Sequence, residues 1–501
     1  MCTLSKWLNS NDVRIIFLIA LTSRLIVYLL IPIDWNSDSY HHWLISYLTL
    51  HIGFGRGRIW DLLGCDYYWG MIPHLIQACI LYLFRVNSIE IIRLFNILIG
   101  SINTSLIYKI ADTYYGNENA ILSGISYAIF PISSIFDSIG MQDTIALNFV
   151  LFSLHYMRKH YFWSGIFLGF ACHSRVEYTL ISFIVLTGFI MRERLNTSSQ
   201  PYLLGWLVGW GIPTLHIYLQ TGNPIYPLYY SLYSVFGGYT SKFKGLPFCE
   251  VMYEWISSRS QIWGNSFYGL TIIIVILICL FLIQSIVWKR WSGYEPILYW
   301  ASTLMVLSPL FLPYFESDIS FLLMMIRFIL PIVALGLPLF FKVISQIELY
   351  QISVLRKFVK TGFIVAMFLS NFLIIPHYMI LQNSIVEEFE LVDKMGAYYN
   401  GGTIVCDIPS MVYRLVNEYN VNPRSVLSNL YCPKYFGLED PLEYLNWIKT
   451  KDIRVWMYYD ERGDPVWYTL EKNYPGILVN LFGEPRDGCY YINYTLVDSI
   501  L

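Results

Sequence analysis

Residues 14–43 read RIIFLIALTSRLIVYLLIPIDWNSDSYHHW, an apolar run followed at once by a polar segment with two aspartates and two histidines. About 20 predominantly apolar residues are enough for a helix to cross the hydrocarbon core of a bilayer. The apolar part, residues 14–33, therefore predicts a membrane-spanning helix. The polar part predicts a loop that carries reactive side chains at the membrane surface.

The composition of the whole chain is typical of a protein that crosses the membrane many times. Of its 501 residues, 56% are hydrophobic and only 14% are charged, and the mean hydropathy is +0.49. Soluble proteins carry about 25% charged residues because their surface faces water. A soluble enzyme is therefore excluded. The net charge of −2 gives no reason to expect a nucleic-acid partner.

Further apolar runs bring the number of predicted spans to eleven. They are 14–33, 89–111, 119–136, 143–157, 161–174, 177–191, 201–219, 266–288, 295–314, 322–344 and 361–380. Lys and Arg concentrate in short loops on one side, and such loops face the cytoplasm. This bias places the N-terminus inside and, with an odd number of spans, the C-terminal end outside.

The last part of the chain has a different composition. Residues 385–501 contain 17 Asp/Glu and 10 Lys/Arg, an ordinary density for a soluble domain. Two runs predict strands and two predict helices: TIVCDI (403–408) and IRVWMYY (453–459), then SMVYRLVNEY (410–419) and PLEYLNWIKT (441–450). We predict an all-α transmembrane bundle over 1–384 and an extracytoplasmic α/β domain over 385–501.

The first outer loop, residues 34–88, contains one more apolar stretch, WGMIPHLIQACILYLF (69–84). Counting it as a span would invert every later loop and disturb the distribution of positive charge. We therefore predict a helix that lies at the outer interface. An ordinary span is the alternative.

The predicted outer loops and the adjoining span ends gather the ionisable side chains, which are costly at membrane depth and usually functional there. The candidates are Asp34, Asp38, Tyr40, His41, His42, Asp137, Asp143, His173, Arg175, Glu177, Glu316, Asp318 and Arg327. Each has a structural alternative: the aspartates could cap helices, Arg175 and Glu177 could form an ion pair, and Arg327 could reach lipid headgroups. These alternatives leave unexplained why acids and arginines share one membrane face.

Carboxylates and guanidinium groups beside an apolar surface suit one kind of chemistry. A carboxylate can take the proton of an attacking hydroxyl group. Arginine can hold a phosphate through two hydrogen bonds and stabilise the charge that it gains on leaving. The set therefore predicts glycosyl transfer from a lipid-phosphate sugar.

Six motifs follow one another along the chain: SDSYHHW (37–43), YYWGMIPHLI (67–76), LFRVNSIEIIRLFNILIGSINTSLIYKIADTYYG (83–116), AIFPISSIFDSIGMQD (128–143), GIFLGFACHSRVEY (165–178) and MIRFILP (325–331). Their order resembles the GT-C superfamily of polyprenyl-phosphate-sugar glycosyltransferases, which includes protein O-mannosyltransferase-like enzymes and lipid A aminoarabinose transferase. The resemblance covers roughly residues 14–345. The first-loop acid is followed by Ser39 instead of the family's second acid, so Asp34 remains a rival for its role.

The resemblance implies an inverting transfer of a hexose, with mannose as one candidate, from a polyprenyl or dolichyl phosphate to a glycan, lipid or protein acceptor. It implies Asp38 as the base and Asp143 as a group that positions the acceptor. Arg175 and Arg327 would bind the donor phosphate, with Arg58 as a weaker candidate. Further substrate-positioning residues would be Glu177, Tyr40, His42 and His74. The reaction requires no cofactor; the aspartates could ligate a divalent metal, but the spacing does not demand one.

Two other classes of protein remain as alternatives. A flippase or transporter of lipid-linked sugars would carry ionisable groups near mid-membrane and paired repeats. A membrane assembly subunit would use residues 385–501 to bind a partner. In every case the chain is expected to be an integral membrane protein surrounded by lipid, in the cell membrane or the endoplasmic reticulum membrane.

Overall fold

The computed structural model describes most of the chain. The described residues are 11–51, 70–157, 159–193, 199–227, 327, 330–346, 353–396, 399, 401–406, 408–427, 441–459, 465–484 and 487–501. Several predictions lie outside these residues: the spans 266–288 and 295–314, the first part of the span 322–344, the candidates Glu316 and Asp318, and the phosphate-binding role of Arg58.

Helices form most of the described chain. The first twelve are α1 (Asn11–Leu30), α2 (Ser37–His51), α3 (Ile72–Phe84), α4 (Ile89–Tyr115), α5 (Asn117–Ile129), α6 (Pro131–Phe136), α7 (Asp143–Tyr156), α8 (Tyr161–Cys172), α9 (Val176–Glu193), α10 (Ser199–Thr221), α11 (Leu330–Gln346) and α12 (Ser353–Gly396). The remaining four are α13 (Pro409–Glu418), α14 (Pro441–Thr450), α15 (Pro465–Asn473) and α16 (Tyr494–Ile500). The predicted mostly helical bundle with a small C-terminal α/β region is therefore confirmed.

Within the described ranges, three helices are long and apolar enough to cross a membrane: Asn11–Leu30, Ile89–Tyr115 and Lys357–Gly396. These helices agree with the prediction of an integral membrane protein. The number of eleven spans stays a prediction. Helix α3 has 13 residues and a length of about 20 Å, whereas the hydrocarbon core is about 30 Å thick. Its length favours the predicted interfacial position.

The chain divides into two compact units. Unit 1 contains residues 1–32, 67–76 and 92–380, and unit 2 contains residues 33–66, 77–91 and 381–501. Much of the predicted first outer loop, residues 34–88, thus belongs to the same unit as the C-terminal residues. The division between a membrane part and a soluble part after residue 384 stays a prediction.

Two helices of unit 1, α8 and α10, pack so closely that only glycine fits between them. A Cβ atom at Gly165 would strike the Tyr202 carbonyl oxygen, and one at Gly205 would strike that of Phe162. Gly169 and Gly209 lie one turn further along the two helices and meet the partner backbone in the same way. Small residues four positions apart let helix backbones approach in membranes. The two glycine pairs thereby fix α8, which leads into Arg175.

Replacing Gly209 by alanine should force α8 and α10 apart, because the new Cβ would meet the backbone of Ile166. We expect a loss of about 1–3 kcal/mol in the free energy of unfolding, the usual cost of overpacking. Gly211→Ala on the same helix is the matched control, because its Cβ would meet nothing within 4 Å. Thermal unfolding of the two purified variants in lipid discs measures the difference, and equal stability would contradict this view of the contact.

Unit 2 contains a five-stranded sheet. Its strands are β1 (Thr403–Cys406), β2 (Val426–Leu427), β3 (Ile453–Tyr459), β4 (Leu478–Glu484) and β5 (Asp487–Ile492). The order is β2-β1-β3-β5-β4; β1 pairs in parallel with β2 and β3, and β5 pairs antiparallel with β3 and β4. Helices α13 and α14 make the crossovers that parallel pairing requires. The two strands and two helices predicted from the sequence are thereby confirmed.

Two cysteines of the sheet, Cys406 and Cys489, are free and buried. Each pairs with Met457 of β3 from opposite sides, so two strand spacings of about 4.8 Å separate them. A disulfide between them would need Cα atoms less than about 7 Å apart. Burial raises the pKa of Cys489 to about 12, which leaves this thiol protonated and unreactive at neutral pH.

Candidate functional site

The candidate site of unit 1 is built on the loop between α6 and α7, which α4 holds in place. Arg93 Nε donates to the Ser138 carbonyl oxygen at 2.9 Å. Asn96 Nδ2 donates to the carbonyl oxygens of Ile139 and Met141 at 2.6 and 2.8 Å. Buried carbonyl groups need such donors. The loop therefore has one fixed path from the end of α6 to Asp143.

The same arginine also holds the end of the first membrane helix. Arg93 Nη2 and Nη1 donate to the carbonyl oxygens of Ile31 and Pro32 at 2.6 and 2.5 Å, and its guanidinium carbon lies 4.6 Å from the centre of the Tyr28 ring. Pro32 precedes Asp34 by two residues, and Ser138 precedes Asp143 by five. One buried guanidinium group thus fixes the chain just before both acidic segments.

Three consecutive residues, the last two of this loop and the first of α7, meet three of the site residues predicted from the sequence. Met141 Sδ lies 3.9 Å from Arg327 Nη1. Gln142 Nε2 lies 2.6 Å from His74 Nε2, and Asp143 Oδ2 lies 3.2 Å from Arg175 Nη1. The partners come from widely separated parts of the chain: His74 from α3, Arg175 from the connection between α8 and α9, and Arg327 from just before α11. Of the residues predicted from the sequence, Asp143, Arg175, Arg327 and His74 thus meet at residues 141–143 within unit 1. A single membrane face shared with the first-loop acids stays a prediction.

The carboxylate of Asp143 is in a favourable electrostatic position. Asp143 is the first residue of α7, and the positive end of the helix dipole stabilises an acid there. Its ion pair with Arg175 is almost fully buried, with side-chain exposures of 5% and 6%. Gln142, and not Asp143, occupies the N-cap position. The alternative in which Asp143 is a helix cap is therefore wrong.

The sequence offered Glu177 as one possible ion-pair partner of Arg175, and the structure shows a partner from α7, Asp143. The side chain of Glu177 lies outside the described part of the chain, so its role stays a prediction. A guanidinium group carries five N–H donors. The ion pair with Asp143 is made through one of the guanidinium nitrogens, Nη1.

His74 has a defined tautomer in this site. Its Nδ1 lies 2.6 Å from the Gly70 carbonyl oxygen, which can only accept, so Nδ1 carries the proton. Nε2 of the neutral ring then accepts from the Gln142 amide nitrogen. In this geometry His74 orients Gln142, the residue before Asp143. A direct contact of His74 with substrate stays a prediction.

The connection from α8 to α9 is anchored through His173. Its Nε2 lies 2.8 Å from the Trp210 carbonyl oxygen and 3.1 Å from Thr214 Oγ1, both on α10. The Ile72 N–H donates to the His173 carbonyl oxygen at 3.2 Å. Gly70 packs against that oxygen with φ +91°, where a Cβ would lie 2.6 Å from it. Only glycine satisfies both conditions, and the contact holds α3 beside Arg175.

Sequence reasoning missed a buried ion pair beneath this loop. Arg24 of α1 donates from Nε to Asp137 Oδ2 at 2.9 Å, and its Nη2 lies 2.7 Å from the same oxygen. Arg24 Nη2 also donates to Thr104, and Thr144 donates to Asp137 Oδ1 at 2.6 Å. Gly100 leaves room for the pair, since a Cβ there would strike Asp137. The sequence feature that could have indicated this ion pair is Arg24 itself, a charged residue in the middle of the predicted span 14–33.

The first-loop acids lie in unit 2 and have different surroundings. Asp34 is fully buried; its Oδ1 accepts the Asn36 N–H at 3.0 Å, and its carbonyl oxygen accepts the Tyr40 hydroxyl at 3.0 Å. Asn36 Oδ1 accepts the Asp38 N–H at 2.9 Å, so Asn36 is the cap of α2. Asp38 itself is half-buried in the first turn of α2. The alternative in which Asp38 caps the helix is wrong.

Two other predicted residues of the first loop, Tyr40 and His42, make hydrogen bonds to nearby residues of the same segment. His42 is fully buried on α2, and its carbonyl oxygen accepts the Ser46 hydroxyl. Tyr40 uses its hydroxyl to hold Asp34. Within the described ranges, no group of three or more His, Cys, Asp or Glu side chains could hold a metal ion. Whether the reaction needs a metal stays a prediction.

Comparison with known proteins agrees with this architecture. A family model for dolichyl-phosphate-mannose-protein mannosyltransferases matches residues 68–215, the segment from just before α3 to α10 that carries His74, Asp143 and Arg175. No curated protein sequence matches the chain.

Solved structures extend the similarity to nearly the whole chain. The crystal structure of ArnT from Cupriavidus metallidurans bound to undecaprenyl phosphate has a TM-score of 0.58 and 12% identity, over 97% of this chain and 98% of that one. The apo oligosaccharyltransferase of Archaeoglobus fulgidus has a TM-score of 0.56 and 11% identity, over 94% of this chain and 72% of that one. At these identities the likeness concerns the fold.

The resemblance seen in the sequence motifs is thus confirmed by a matching family model over part of the chain and by a shared fold over nearly all of it, and the chain is similar to the GT-C superfamily of membrane glycosyltransferases.

Proposed function

We propose that the chain is an integral-membrane glycosyltransferase that moves a hexose from a polyprenyl-phosphate or dolichyl-phosphate donor to a glycan, lipid or protein acceptor. The observation that carries the proposal is the meeting of Arg327, His74 and Arg175 on three consecutive residues, 141–143. Two buried guanidinium groups at one short loop are suited to bind an anion, because charge-assisted hydrogen bonds from arginine to phosphate are strong and specific in geometry. A donor phosphate is the anion that fits the reaction.

The proposed step is a single displacement at the anomeric carbon of the sugar. The acceptor oxygen forms a bond to this carbon while the bond from the carbon to the phosphate oxygen breaks, and its electron pair leaves with the lipid phosphate. The base, Asp38 in this proposal, takes the acceptor's proton. Attack from the opposite side inverts the configuration. A lipid phosphate leaves readily, so a general acid is unnecessary.

The surroundings of the first-loop acids favour Asp38 over Asp34 as the base. Asp34 is fully buried and already accepts the Asn36 N–H. Its local role is to shape the turn into α2. Asp38 is half-buried in the first turn of α2. A base must be reachable by the hydroxyl group whose proton it takes, and Asp38 meets this condition better.

Arg175 and Arg327 are the proposed phosphate ligands. Both are buried, with exposures of 7% and 5%, and hydrogen bonds to a charged group are strongest where water is excluded. Asp143 would keep Arg175 in position and orient the acceptor. Arg58 remains a further candidate from the sequence alone.

The relatives support a lipid-phosphate donor. ArnT is described with bound undecaprenyl phosphate, and the matching family model is named for transfer of mannose from dolichyl phosphate. A structure of the Archaeoglobus fulgidus oligosaccharyltransferase with a tethered acceptor peptide has a TM-score of 0.52 and 12% identity over 97% of this chain and 75% of that one. Mannose is our first choice of sugar. The reaction would take place on the extracytoplasmic or lumenal side.

The test uses the purified full chain in lipid discs with polyprenyl-phosphate mannose labelled in the sugar, together with a panel of glycan, lipid and peptide acceptors. We expect label to appear on an acceptor while free polyprenyl phosphate accumulates in equal amount. In sealed vesicles, label that crosses the bilayer while it stays on its lipid would identify a flippase and contradict the proposal. The absence of both outcomes across several lipid-phosphate sugars would also contradict it.

A further inference from the structure

We propose that the C-terminal domain takes part in positioning the first-loop acids, through Tyr413 of α13. This inference rests on the proposed function, since it assigns a role to residues near the proposed base. All contacts that carry it lie within unit 2.

Four aromatic rings join three helices that are far apart in the sequence. We call Tyr40 and Trp43 of α2, Phe389 of α12 and Tyr413 of α13 the aromatic cluster. The Tyr413 ring centre lies 5.1 Å from that of Tyr40, 4.7 Å from that of Trp43 and 6.3 Å from that of Phe389. Tyr40 meets Phe389 edge-on at 5.9 Å. Tyr413 is thus the one ring of the cluster that contacts the other three.

The cluster is connected to the acids by short hydrogen bonds. The Tyr40 hydroxyl donates to the Asp34 carbonyl oxygen. Asp34 Oδ1 accepts from Asn36, and Asn36 Oδ1 accepts from Asp38. A shift of the Tyr40 ring would therefore move the turn that presents Asp38. Tyr40 and Trp43 are three residues apart on α2, so they face the same side, the side that Tyr413 covers.

The other end of this connection is firmly anchored. Arg414, next to Tyr413, makes a two-bond contact with Asp393 of α12 at 3.0 and 3.1 Å, and its guanidinium carbon lies 5.2 Å from the Phe389 ring centre. The Ser410 hydroxyl donates to the buried carboxylate of Glu388. These contacts hold α13 against α12, and Tyr413 of α13 packs against α2.

Two further hydrogen bonds hold the segment before α4 in the same assembly. The Tyr413 hydroxyl lies 3.3 Å from Ser88 Oγ, and Trp43 Nε1 donates to the Asn87 carbonyl oxygen at 2.8 Å. Removal of the Tyr413 ring would leave an apolar gap beside Tyr40 and Trp43 of α2. Removal of its hydroxyl alone would cost only long hydrogen bonds, the one with Ser88 Oγ and one that it accepts from Asn417 Nδ2 at 3.4 Å. The ring, not the hydroxyl, is thus the positioning element.

The experiment compares the full-length variants Tyr413→Leu and Tyr413→Phe in the transfer assay. We expect Tyr413→Leu to lower kcat about tenfold with little change in the KM for the lipid donor, because small misplacements of reacting groups slow catalysis strongly. Tyr413→Phe keeps the ring and should restore kcat to within about twofold of the parent protein. Tyr40→Leu should lower kcat similarly, and the double variant should be no worse than the poorer single one, because both act through one contact.

Leu415→Ala is the matched control, since Leu415 is a fully buried residue of the same helix outside the aromatic cluster. It should lower thermal stability at least as much as Tyr413→Leu while kcat measured well below the unfolding temperature stays near that of the parent. Equal losses of kcat in Leu415→Ala and Tyr413→Leu would show general destabilisation and overturn the proposal. Additive effects of the Tyr413 and Tyr40 changes would overturn it as well.

A second readout separates this inference from the proposed function. Hydrogen exchange of the amides in α2, residues 37–51, should become faster in Tyr413→Leu than in the parent, while exchange in α14, residues 441–450, stays the same. This result is expected even if the parent protein transfers no sugar. Unchanged exchange in α2 would overturn the positioning role whatever the activity is.

Discussion

Replacing Asp38 by asparagine should lower the rate of sugar transfer by about a hundredfold to ten-thousandfold, the usual contribution of a positioned general base. Asparagine has the shape of aspartate but cannot take a proton at neutral pH. The Asn36 cap of α2 uses the backbone N–H of residue 38 and is unaffected by the change. We therefore expect kcat to fall while the protein keeps its stability and its affinity for the lipid donor. Initial rates with labelled polyprenyl-phosphate mannose measure the effect.

Asp34→Asn is the control for this prediction. Its side-chain oxygen can still accept the Asn36 N–H, so the turn into α2 should persist and activity should change by much less. The opposite ranking, with Asp34→Asn inactive and Asp38→Asn near the parent rate, would move the role of base to Asp34. Wild-type rates in both variants would remove the first-loop acids from the mechanism.

The second large effect concerns stability. Arg24→Gln should cost about 3–5 kcal/mol, because it leaves the Asp137 carboxylate buried without its ionic partner. Asp137→Asn should cost a similar amount, since it leaves a buried guanidinium group. Both side chains of the pair are at most 1% exposed, so water cannot replace the missing contact. Denaturant unfolding of the purified variants in mixed micelles measures the loss.

The double variant Arg24→Met with Asp137→Leu distinguishes a charge effect from a packing effect. Replacing a buried ion pair by apolar residues of similar volume is often neutral or stabilising. We therefore expect the double variant to be more stable than either single variant. A double variant whose loss equals the sum of the two single losses would show that packing, and not charge, determines the stability of this site.

Local patterns made much of the fold predictable. The strand β3 and the helix α14 lie at the residues where hydrophobic periodicity placed them, 453–459 and 441–450. Hydrophobic periodicity depends only on residues close together in the sequence, so it can be recognised without knowing the tertiary contacts. The predicted apolar runs 14–33 and 89–111 likewise overlap α1 (Asn11–Leu30) and α4 (Ile89–Tyr115).

Tertiary pairing was the part that the sequence could not supply. Arg175 pairs with Asp143 of α7, which is 32 residues away along the chain, and no local pattern indicates this contact. Arg24 escaped notice because a hydropathy window averages a single charge over about twenty apolar residues. Its partner Asp137 is 113 residues away. Only the fold shows that this pair neutralises itself.

The division of the chain into two compact units could not be predicted from the sequence either. Composition changes near residue 385, where charged residues become common, and it predicts a boundary there. The structure places residues 33–66 and 77–91 in one unit with residues 381–501. Contacts such as those of Tyr413 with α2 create this unit, and no local pattern encodes them.

Sidedness is the central requirement of the account, because a single reaction needs the acids of both loops on one face of the membrane. A reporter whose activity depends on its side of the membrane can be fused after residue 38 and, separately, after residue 143. The account predicts that both fusions report the extracytoplasmic side. Fusions that report opposite sides would place Asp38 and Asp143 across the bilayer from each other and contradict the proposed enzyme.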